Sequence, residues 1–426
     1  MAKSRTVIRA YQADSAHAEQ RRPVLVDVLH DTRATLLELA VASGVQVLHA
    51  MLEEDRTALC GARYAHQAAR DVHRAGSTPS EVVLGGRKVP MRRPRVRTAQ
   101  HEVPLPTWQA VAARDPLEQR MLEQMLVGVA TRQYARSLEP VGATIPTRGT
   151  SKSAVSRRFV VKTAAQLETW RATPLDGLAL AGLLIDGVVL AEHCVVVALG
   201  LDATGRKHVL GLWEGSTENT AVCQGLLANL QSRGLRTDRS LLVILDGSKA
   251  LRAAVQQTFG PVAWVQRCQA HKLRNVLDHL PDAERPWVRA ILHRAYRSHD
   301  GAHARRLLQD LARRLEPRWP SAAASVREGL DETLTVLALP ISERLQRSLA
   351  TTNAIESLLS RMRHVQRNVT RWRSGTMVLR WVAAGVLEAA KGFRRLKGCG
   401  EMPRLIAALR ARDQELGLDS ASPQVA

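Results

Sequence analysis

The sequence predicts an α/β protein, because strand-like and helix-like segments alternate through its middle third. Three apolar, strand-like runs joined by short turns fill residues 178–216. A helix-like segment, the apolar run LLVILD at 241–246, a second helix-like segment and the strand-like run VAWVQRC at 262–268 follow in that order. Three meandering strands followed by helix, strand, helix and strand predict a mixed five-stranded sheet with helices packed on it.

The size and charge of the chain indicate the kind of partner to expect. With 426 residues the chain is long enough for two or three domains and a substantial core. Its formal net charge of +21 and isoelectric point near 10.9 predict a polyanionic partner. A genomic bias towards arginine codons explains the excess of arginine over lysine, but it does not explain the net charge.

Cysteine use and hydropathy predict a protein of a reducing compartment. The five cysteines, at positions 60, 194, 223, 268 and 399, are odd in number and form no CxxC pair, so no disulfide framework is expected. The first residues, MAKSRTVIRAYQADS, lack the apolar centre of a signal peptide. No uninterrupted run of about 18 apolar residues occurs, so we expect no membrane span.

The N-terminal part predicts a helix followed by a basic ribbon. Residues 25–54 repeat apolar residues at helical spacing. Residues 81–98, EVVLGGRKVPMRRPRVRT, predict a strand, a Gly-Gly turn and a second strand, after which the prolines argue against a buried strand. Arg92, Arg93 and Arg95 in this basic arm are candidates for contact with a DNA backbone, and the alternative is an ordinary solvated edge.

Two further helices are predicted before the sheet begins. Residues 117–136 form an amphipathic pattern, and Thr150 or Ser151 can cap a helix that begins after a loop. The first turns of this second helix carry Lys152, Arg157 and Arg158. A short polar helix after a turn favours a helix-turn-helix DNA reader. The alternative is a polar linker helix.

The pattern along the chain divides it into six predicted regions. They are a helical N-terminal region at 1–75, a DNA-binding region at 76–175, the first part of the sheet domain at 176–269, an all-α segment at 270–345, a second part with basic helices at 346–400 and a tail at 401–426. Prolines interrupt the all-α segment, and we expect fraying over roughly the last ten residues of the tail.

Three acidic residues are the candidates for chemistry. Asp186 lies in LLIDG and Asp246 ends LLVILD, so two apolar strands carry an acid at matching places. If the two strands are neighbours, both carboxylates meet at one point, which is costly unless a cation neutralises them. Oxygen ligands of this kind suit Mg²⁺. A third acid, Glu356, follows the capping sequence TTN by about one helical turn.

Each acid also has an ordinary structural explanation. An aspartate at the end of a strand often caps a turn, and a glutamate near a helix start often interacts with the helix dipole. The order aspartate, aspartate, glutamate on strand, strand and helix in a strongly basic chain favours a joint role.

These segments resemble DDE transposases of the Mutator-like group of bacterial insertion sequences. The resemblance covers about residues 60–400, with the segments in the family's order. The matching stretches are LLIDGVVLAEHCVVVALGLDATGRKHVLGLWEGSTENTAV, LLVILDGSKALRAAV, VQRCQAHKLRNVLDHLP, TTNAIES, RNVTRWRSG and LRWVAAGVLEAAKGFRRLKG.

The resemblance implies an RNase H-like core interrupted by an all-α insertion between the fifth strand and the helix with the glutamate. It implies that Asp186, Asp246 and Glu356 bind two Mg²⁺ ions, for which Mn²⁺ can substitute. The implied reaction is strand cleavage and strand transfer at the terminal inverted repeats of the element, by a dimer or larger assembly on DNA in the bacterial cytoplasm. The alternatives are an inactive DNA-binding relative and a nuclease with the same core.

A CxxH pair, Cys268 and His271, follows the fifth predicted strand. As a zinc site it is half complete, and no matching second half is apparent. The resemblance implies a structural or DNA-organising role beside the active site. The alternative is a buried cysteine with a hydrogen-bonded histidine.

Several cations close to these motifs in sequence are candidates for holding DNA strands. Trp372 lies between two arginines, where an aromatic ring can stack on a displaced base. The remaining candidates are Lys249, Arg252, Lys272, Arg274, Arg371 and Arg373.

Overall fold

The computed structural model describes residues 15–65, 71–112, 118–139, 141, 145–217 and 219–418, with the backbone alone for 15–35 and 118. The expectations for the N-terminal 14 residues and for fraying beyond residue 418 lie outside the described residues. The chain divides into two compact units, Met1–Phe159 and Val160–Ala426.

The first unit is built on a long helix and a β-ribbon. Helix α1 spans Ser15–Cys60, and strands β1 (His73–Leu84) and β2 (Arg87–Arg97) pair antiparallel. Gly85 and Gly86 both have positive φ, which a two-residue hairpin turn requires. The predicted strand, Gly-Gly turn and strand are therefore confirmed. The helix packs Leu48 and Leu52 against buried ribbon residues, namely Val82, Val89, Met91 and Val96.

The ribbon is longer than predicted, because β2 continues through Pro90 and Pro94. Strands β3 (Glu102–Val103) and β4 (Arg148–Gly149) pair with β2 only at its two ends. Within the described part of the chain the middle of β2 therefore pairs with β1 alone, and prolines are tolerated along the other edge.

The helices of the first unit differ from the prediction. After α2 (Pro106–Ala112), helix α3 covers Glu118–Leu126, and the rest of the predicted 117–136 helix contains only a 3₁₀ turn at Tyr134–Ser137. Gly128, with φ of 104°, ends α3.

Helix α4 spans Lys152–Arg171 and begins where predicted. Residues 127–151 separate it from α3, whereas a helix-turn-helix has a turn of about three or four residues. The predicted helix-turn-helix is therefore wrong. The helix is also long, and its Leu167 joins a hydrophobic core of the second unit.

The second unit contains the predicted mixed five-stranded sheet. Its strands are β5 (Leu180–Leu190), β6 (His193–Asp202), β7 (Lys207–Gly215), β8 (Leu241–Leu245) and β9 (Ala263–Arg267). The spatial order is β7-β6-β5-β8-β9, in which the first three strands are antiparallel and β5, β8 and β9 are parallel. The adjacency of the first and fourth strands that the acids required is confirmed.

Both faces of the sheet are covered by helices, which explains why its strands are apolar throughout. One face packs Leu183, Ile185 and Val243 against α5 (Thr220–Ser232) and α6 (Lys249–Phe259). The other face packs Leu184 and Ile244 against the last helices. These are α12 (Glu343–Leu349), α13 (Asn353–Val365), α14 (Gly375–Ala390) and α15 (Met402–Glu415).

A separate group of helices, called the intervening helices below, lies in the chain between β9 and α12. They are α7 (Gln269–Asp278), α8 (Arg285–Tyr296), α9 (Gly301–Leu315), α10 (Pro320–Arg327) and α11 (Leu330–Thr333). They bury their own hydrophobic core, which includes Val276, Val288, Leu308 and Val326.

The C-terminal segment that was predicted as a tail contains helix α15. Its Met402, Leu405 and Leu409 are buried in the core on the second face of the sheet. The helical spacing of these three residues was present in the sequence, and burial of this stripe explains why the segment is ordered.

One segment of α1 differs from the expectation that no membrane span exists. Leu36–Cys60 is long and apolar enough by composition to cross a membrane, with a mean hydropathy of 1.3. A single helix of this length and composition does not establish a membrane span, since core helices of soluble proteins meet the same two criteria. Leu48 and Leu52 of this segment pack on the ribbon, while Leu36, Leu39 and Val47 are exposed.

Candidate active site

The two predicted aspartates lie side by side at the centre of the sheet. Strands β5 and β8 are parallel, with Ile185 opposite Leu245. Asp186 directly follows Ile185, and Asp246 directly follows Leu245. Parallel neighbours advance in step, so both carboxylates are at the carboxyl end of β8.

Local hydrogen bonds hold one oxygen of each aspartate. The Gly187 amide donates to Asp186 Oδ1, and the Ser248 amide donates to Asp246 Oδ1, both at 2.9 Å. The Ser248 hydroxyl in turn caps α6. Each aspartate therefore does make the turn-type contact of the structural alternative. Within the described residues neither Oδ2 accepts a hydrogen bond, which leaves one oxygen of each acid for a cation.

The electrostatics of Asp186 favour a bound cation. Asp186 is only 9% exposed. Its burial, and to a smaller extent the negative charge of Asp246, raise the pKa of its carboxyl group to about 7. The nearby Glu356 acts in the same direction, while His271 and the Gly187 amide oppose the shift. A positive charge between two neighbouring carboxylates of this kind makes it easier for both to be ionised. The hard oxygen donors fit Mg²⁺.

Glu356 is held at this site by Thr352. Both lie at the start of α13, and the Thr352 hydroxyl donates to Glu356 Oε1 at 2.6 Å. His271 Nδ1 is 3.7 Å from the same oxygen. Thr352 is fully buried, and its hydrogen bond to Glu356 was not predicted from the sequence. The i, i+4 spacing of Thr352 and Glu356 was the available signal.

The CxxH pair forms the other side of this network. Cys268 is buried, and its Sγ accepts a hydrogen bond from the Thr352 amide at 3.4 Å. A hydrogen bond with Cys268, opposed by burial, raises the pKa of His271 to about 8, with help from Glu356 and Asp246. Burial works to raise the pKa of Cys268, but hydrogen bonds with His271 and Thr352 outweigh it and lower that pKa.

Cys268, His271 and Glu356 also form a possible metal-binding group. Their ligand atoms all lie within 4.8 Å of one another. Sulfur and imidazole donors suit zinc, whereas the two aspartates suit Mg²⁺, and Glu356 belongs to both sets. The hydrogen bonds of Cys268 and His271 match the alternative reading of a buried cysteine with a hydrogen-bonded histidine.

Comparison with known proteins identifies the family. Residues 26–395 match the family model described as "Transposase, Mutator family". This chain belongs to the Mutator family of transposases. The family is one of enzymes that act on DNA, so the basic composition and the apposed acids have a common explanation.

Transposases of insertion sequences from several bacteria are similar to the chain. One from Mycobacterium tuberculosis, for the element IS1081, is 26% identical over 94% of this chain and 96% of its own length. One from Burkholderia multivorans, for IS406, is 26% identical over 83% of this chain and 92% of its own. One from Acidithiobacillus ferrooxidans, for IST2, is 32% identical over 40% of this chain and 56% of its own.

The cations predicted to bind DNA in this transposase fall into two groups. Some are exposed, and others are paired with groups inside the fold. Lys249, the first residue of α6, is exposed three positions after Asp246, and Arg274 on α7 is exposed as well. Arg252 donates to Glu332 at 2.6 Å. Lys272 is only 5% exposed and donates to the Ser325 carbonyl at 2.8 Å.

The surroundings of Lys272 are incompatible with the predicted DNA contact. Its ammonium is 3.6 Å from Glu328, and Arg267 pairs with Glu332 at 2.7 Å. These ion pairs join α7, through Lys272, and the end of β9, through Arg267, to the segment around α11. Arg252 belongs to the same network through Glu332, so its charge is neutralised within the fold. The sequence shows the two cations but not the glutamates that meet them.

Replacing Lys272 by alanine will lower the free energy of unfolding by about 1–3 kcal/mol, because the Ser325 carbonyl loses its buried donor. Chemical denaturation measures this change. Lys249→Ala is the matched control, and since Lys249 is exposed we expect a change within about 0.5 kcal/mol. Equal effects of the two substitutions would contradict the assignment of Lys272 to the fold.

The predicted arginines of the ribbon also include exposed and internally paired residues. Arg93 and Arg95 pair with Glu102 at 2.8 and 2.7 Å, and Arg93 also lies over the ring of Trp108. Arg92 is exposed and donates to the Ser77 hydroxyl at 3.0 Å. Of the three predicted ribbon arginines, Arg92 is the one that is exposed and has no acidic partner among the described residues.

The remaining predicted cations are accessible, and the aromatic residue between two of them is partly buried. Lys152 and Arg157 on α4 are exposed and Arg158 is half-buried. Arg371 and Arg373, in the connection between α13 and α14, are exposed. Trp372 is partly buried and packs against the core on the second face of the sheet. The predicted stacking of Trp372 on a displaced base would use the part of the ring that this packing leaves exposed.

Substitution of Thr352 tests how Glu356 is positioned. Thr352→Val keeps the shape of the side chain but removes the 2.6 Å hydrogen bond, and we expect a fall in DNA joining of about 10–100-fold. If the acids hold Mg²⁺, the Mg²⁺ concentration for half-maximal joining will rise as well. Thr352→Ser retains the donor and will restore most of the activity. A serine variant as impaired as the valine variant would argue for a packing role alone.

Proposed function

We propose that the chain is a DDE transposase that cleaves DNA at the terminal inverted repeats of an insertion sequence and joins the ends to target DNA. The observation that carries this proposal is the apposition of Asp186 and Asp246 on adjacent parallel strands, with Glu356 beside them. The order of the five-stranded sheet supports an RNase H-like core, and the intervening helices correspond to an insertion between its fifth strand and α13.

We propose that the acid site holds two Mg²⁺ ions, which its carboxylate donors suit. Asp186 would hold both, with Asp246 and Glu356 each holding one. Bound there, the ions would activate the attacking oxygen and stabilise the leaving oxygen of an in-line displacement at phosphorus. Strand cleavage and strand transfer need the same site, since one uses water and the other a DNA 3′-hydroxyl. Mn²⁺ would substitute for Mg²⁺.

The protein's own residues position these carboxylates. The Gly187 and Ser248 amides each orient one aspartate oxygen, and Thr352 orients Glu356. His271, with a pKa raised to about 8, places a positive charge near Glu356 and Asp246. This charge reduces the repulsion among the acids before a metal binds.

We further propose that the protein works on DNA in the bacterial cytoplasm, at the nucleoid, as a homodimer or larger assembly. Two element ends must be brought together for joining, so a DNA-bound assembly with at least two protomers follows from the proposed reaction. The net charge of +21 supports association with DNA.

A strand-transfer assay tests the proposal. Purified protein is mixed with Mg²⁺, labelled DNA carrying the terminal repeat of its element and a plasmid target. Joined product is the expected result. Cleavage without joining would indicate a nuclease, and binding without either reaction, with the correct end sequence confirmed, would indicate an inactive DNA-binding relative.

A further inference from the structure

A cleft of about 570 Å³ lies in the second unit. Helices α7 and α8 form one side, and the connection between α12 and α13 contributes Ala350 and Thr351. The volume is within the range of roughly 300–1,000 Å³ found for ligand sites. We call this the basic cleft, because of the side chains that line it.

The lining of the basic cleft is strongly cationic. Asp278 is its only acidic residue within the described part of the chain. The basic residues that line it are Arg274, Arg285, Arg289, His293, Arg297 and Arg347. Five guanidinium groups around one cavity repel one another, and a bound polyanion removes that repulsion.

Two of these arginines have structural partners. Arg285 donates to the Leu277 and Leu280 carbonyls at 3.0 Å, which ties α8 to the end of α7. Arg347 is 3.6 Å from Glu343 on its own helix. These contacts account for two of the five positive charges.

The other three arginines have no such partner. Arg274, Arg289 and Arg297 are exposed, and none makes a hydrogen bond or ion pair through its side chain within the described ranges. The fold therefore does not require these guanidinium groups. Surface arginines with no internal partner in a concave site are the residues expected to bind phosphate.

The basic cleft adjoins residues of the acid site through two backbone connections. Thr351 lines the cleft, and the next residue, Thr352, donates to Glu356. On the other side, the Gln269 amide donates to the Ala350 carbonyl at 2.9 Å. Gln269 begins α7, which carries His271. A strand held in the cleft therefore lies next to the helices that carry Glu356 and His271.

We propose that the basic cleft binds the phosphodiester backbone of the DNA strand that enters the acid site. This inference rests on the proposed function and specifies where the intervening helices hold DNA. Arg289 and Arg297 are eight residues apart on α8 and its cap, a separation of about 12 Å along the helix. Phosphates of one strand repeat about every 3.4 Å along a duplex, so the spacing matches several successive phosphates.

The double substitution Arg289→Gln and Arg297→Gln tests the proposal. DNA affinity is measured by fluorescence anisotropy with a labelled duplex, over a series of salt concentrations, in the Asp246→Asn background with Ca²⁺ so that no cleavage occurs. We expect the affinity to fall by about fivefold or more and the slope of log affinity against log salt to decrease by about 1.8, or 0.9 for each lost phosphate contact.

Arg294→Gln with Arg306→Gln is the matched control. Both arginines are exposed on α8 and α9, outside the basic cleft, and the change in net charge is the same. We expect their salt slope to stay close to that of the parent. Equal slopes for the cleft variant and the parent overturn the proposal, as does an equal decrease in both double variants.

Chemical protection locates the contact without any substitution. Phenylglyoxal modifies accessible guanidinium groups, and mass spectrometry reads each site. DNA will slow modification of Arg289 and Arg297 but not of Arg294 and Arg306. Protection by inorganic phosphate alone, with none by DNA, would make the cleft a small-anion site and overturn the proposal. Protection by DNA in a protein that fails the strand-transfer assay would uphold the cleft and reject the proposed chemistry.

Discussion

Replacing Asp246 by asparagine will reduce strand transfer by more than about 1,000-fold, which corresponds to about 4 kcal/mol of lost transition-state stabilisation. Asparagine has nearly the same shape and keeps an oxygen that can accept from the Ser248 amide, so the end of β8 will remain folded. The substitution removes the negative charge beside Asp186. The site then loses one of the two adjacent carboxylates that are expected to hold Mg²⁺.

The measurement is joined product per unit time, with wild type and Asp246→Asn compared at equal DNA occupancy. Asp238→Asn is the control, because Asp238 is an exposed acid that pairs with Arg236 at 2.7 Å. We expect this control to join DNA as wild type does, and Asp246→Asn to bind DNA at least as tightly as wild type. Equal joining by Asp246→Asn would mean that Asp246 only caps its turn.

The sheet and its acids could be predicted because each signal is local. Strands β5 and β8 are buried on both faces, so they appear as continuous apolar runs in which Asp186 and Asp246 stand out. That the first and fourth strands are neighbours was only the condition under which the two acids meet, and the structure shows that it holds. Glu356 was found through the capping pattern TTN before its helix.

The roles of the cations could not be predicted, because they depend on distant partners. Lys272 meets Glu328 and the Ser325 carbonyl, which are more than fifty positions away in the chain. Trp372 lies between two arginines in sequence, but the core beneath it is formed by other helices. Local sequence shows a charge or a ring, whereas only the tertiary structure shows whether it is already satisfied.

The prediction of a helix-turn-helix was wrong for a different reason. A basic helix start after a loop is compatible with several structures, and the decisive feature is the length of the preceding turn. Gly128 ends α3 at a positive φ, and the chain then takes residues 127–151 to reach α4. The apolar pattern of 117–136 continued past this glycine, so periodicity alone placed the helix end too late.

The contribution of Asp186 to the stability of the metal-free protein will fall as pH rises from about 4 to about 8. The pKa of Asp186 is about 7 in the folded protein against 3.8 normally, so the folded state holds this proton more tightly than the unfolded state. The resulting stabilisation is complete below about pH 4 and is lost as pH rises through about 7. Three pKa units correspond to about 4 kcal/mol as an upper limit. His271, raised from 6.5 to about 8, acts in the same direction at higher pH.

Chemical denaturation in EDTA at several pH values measures this loss, and Asp186→Asn isolates the aspartate because asparagine does not titrate. We expect wild type to lose up to about 4 kcal/mol relative to Asp186→Asn between about pH 4 and pH 8. Asp202→Asn is the control, because the pKa of Asp202 is lowered whereas that of Asp186 is raised. Burial opposes it, but hydrogen bonds from His208 and Thr204 lower the pKa of Asp202 to about 2, so its contribution is constant over this range.

Mg²⁺ reverses the loss if the acids bind it. The ion binds the ionised carboxylates and competes with the proton on Asp186, so Mg²⁺ will stabilise wild type more at about pH 8 than at about pH 5. It will stabilise Asp186→Asn little at either pH. A pH profile that is unchanged by Asp186→Asn would place the titration elsewhere. A normal profile with no effect of Mg²⁺ would instead mean that the two aspartates share a proton without forming a metal site, since burial and mutual repulsion alone account for the raised pKa.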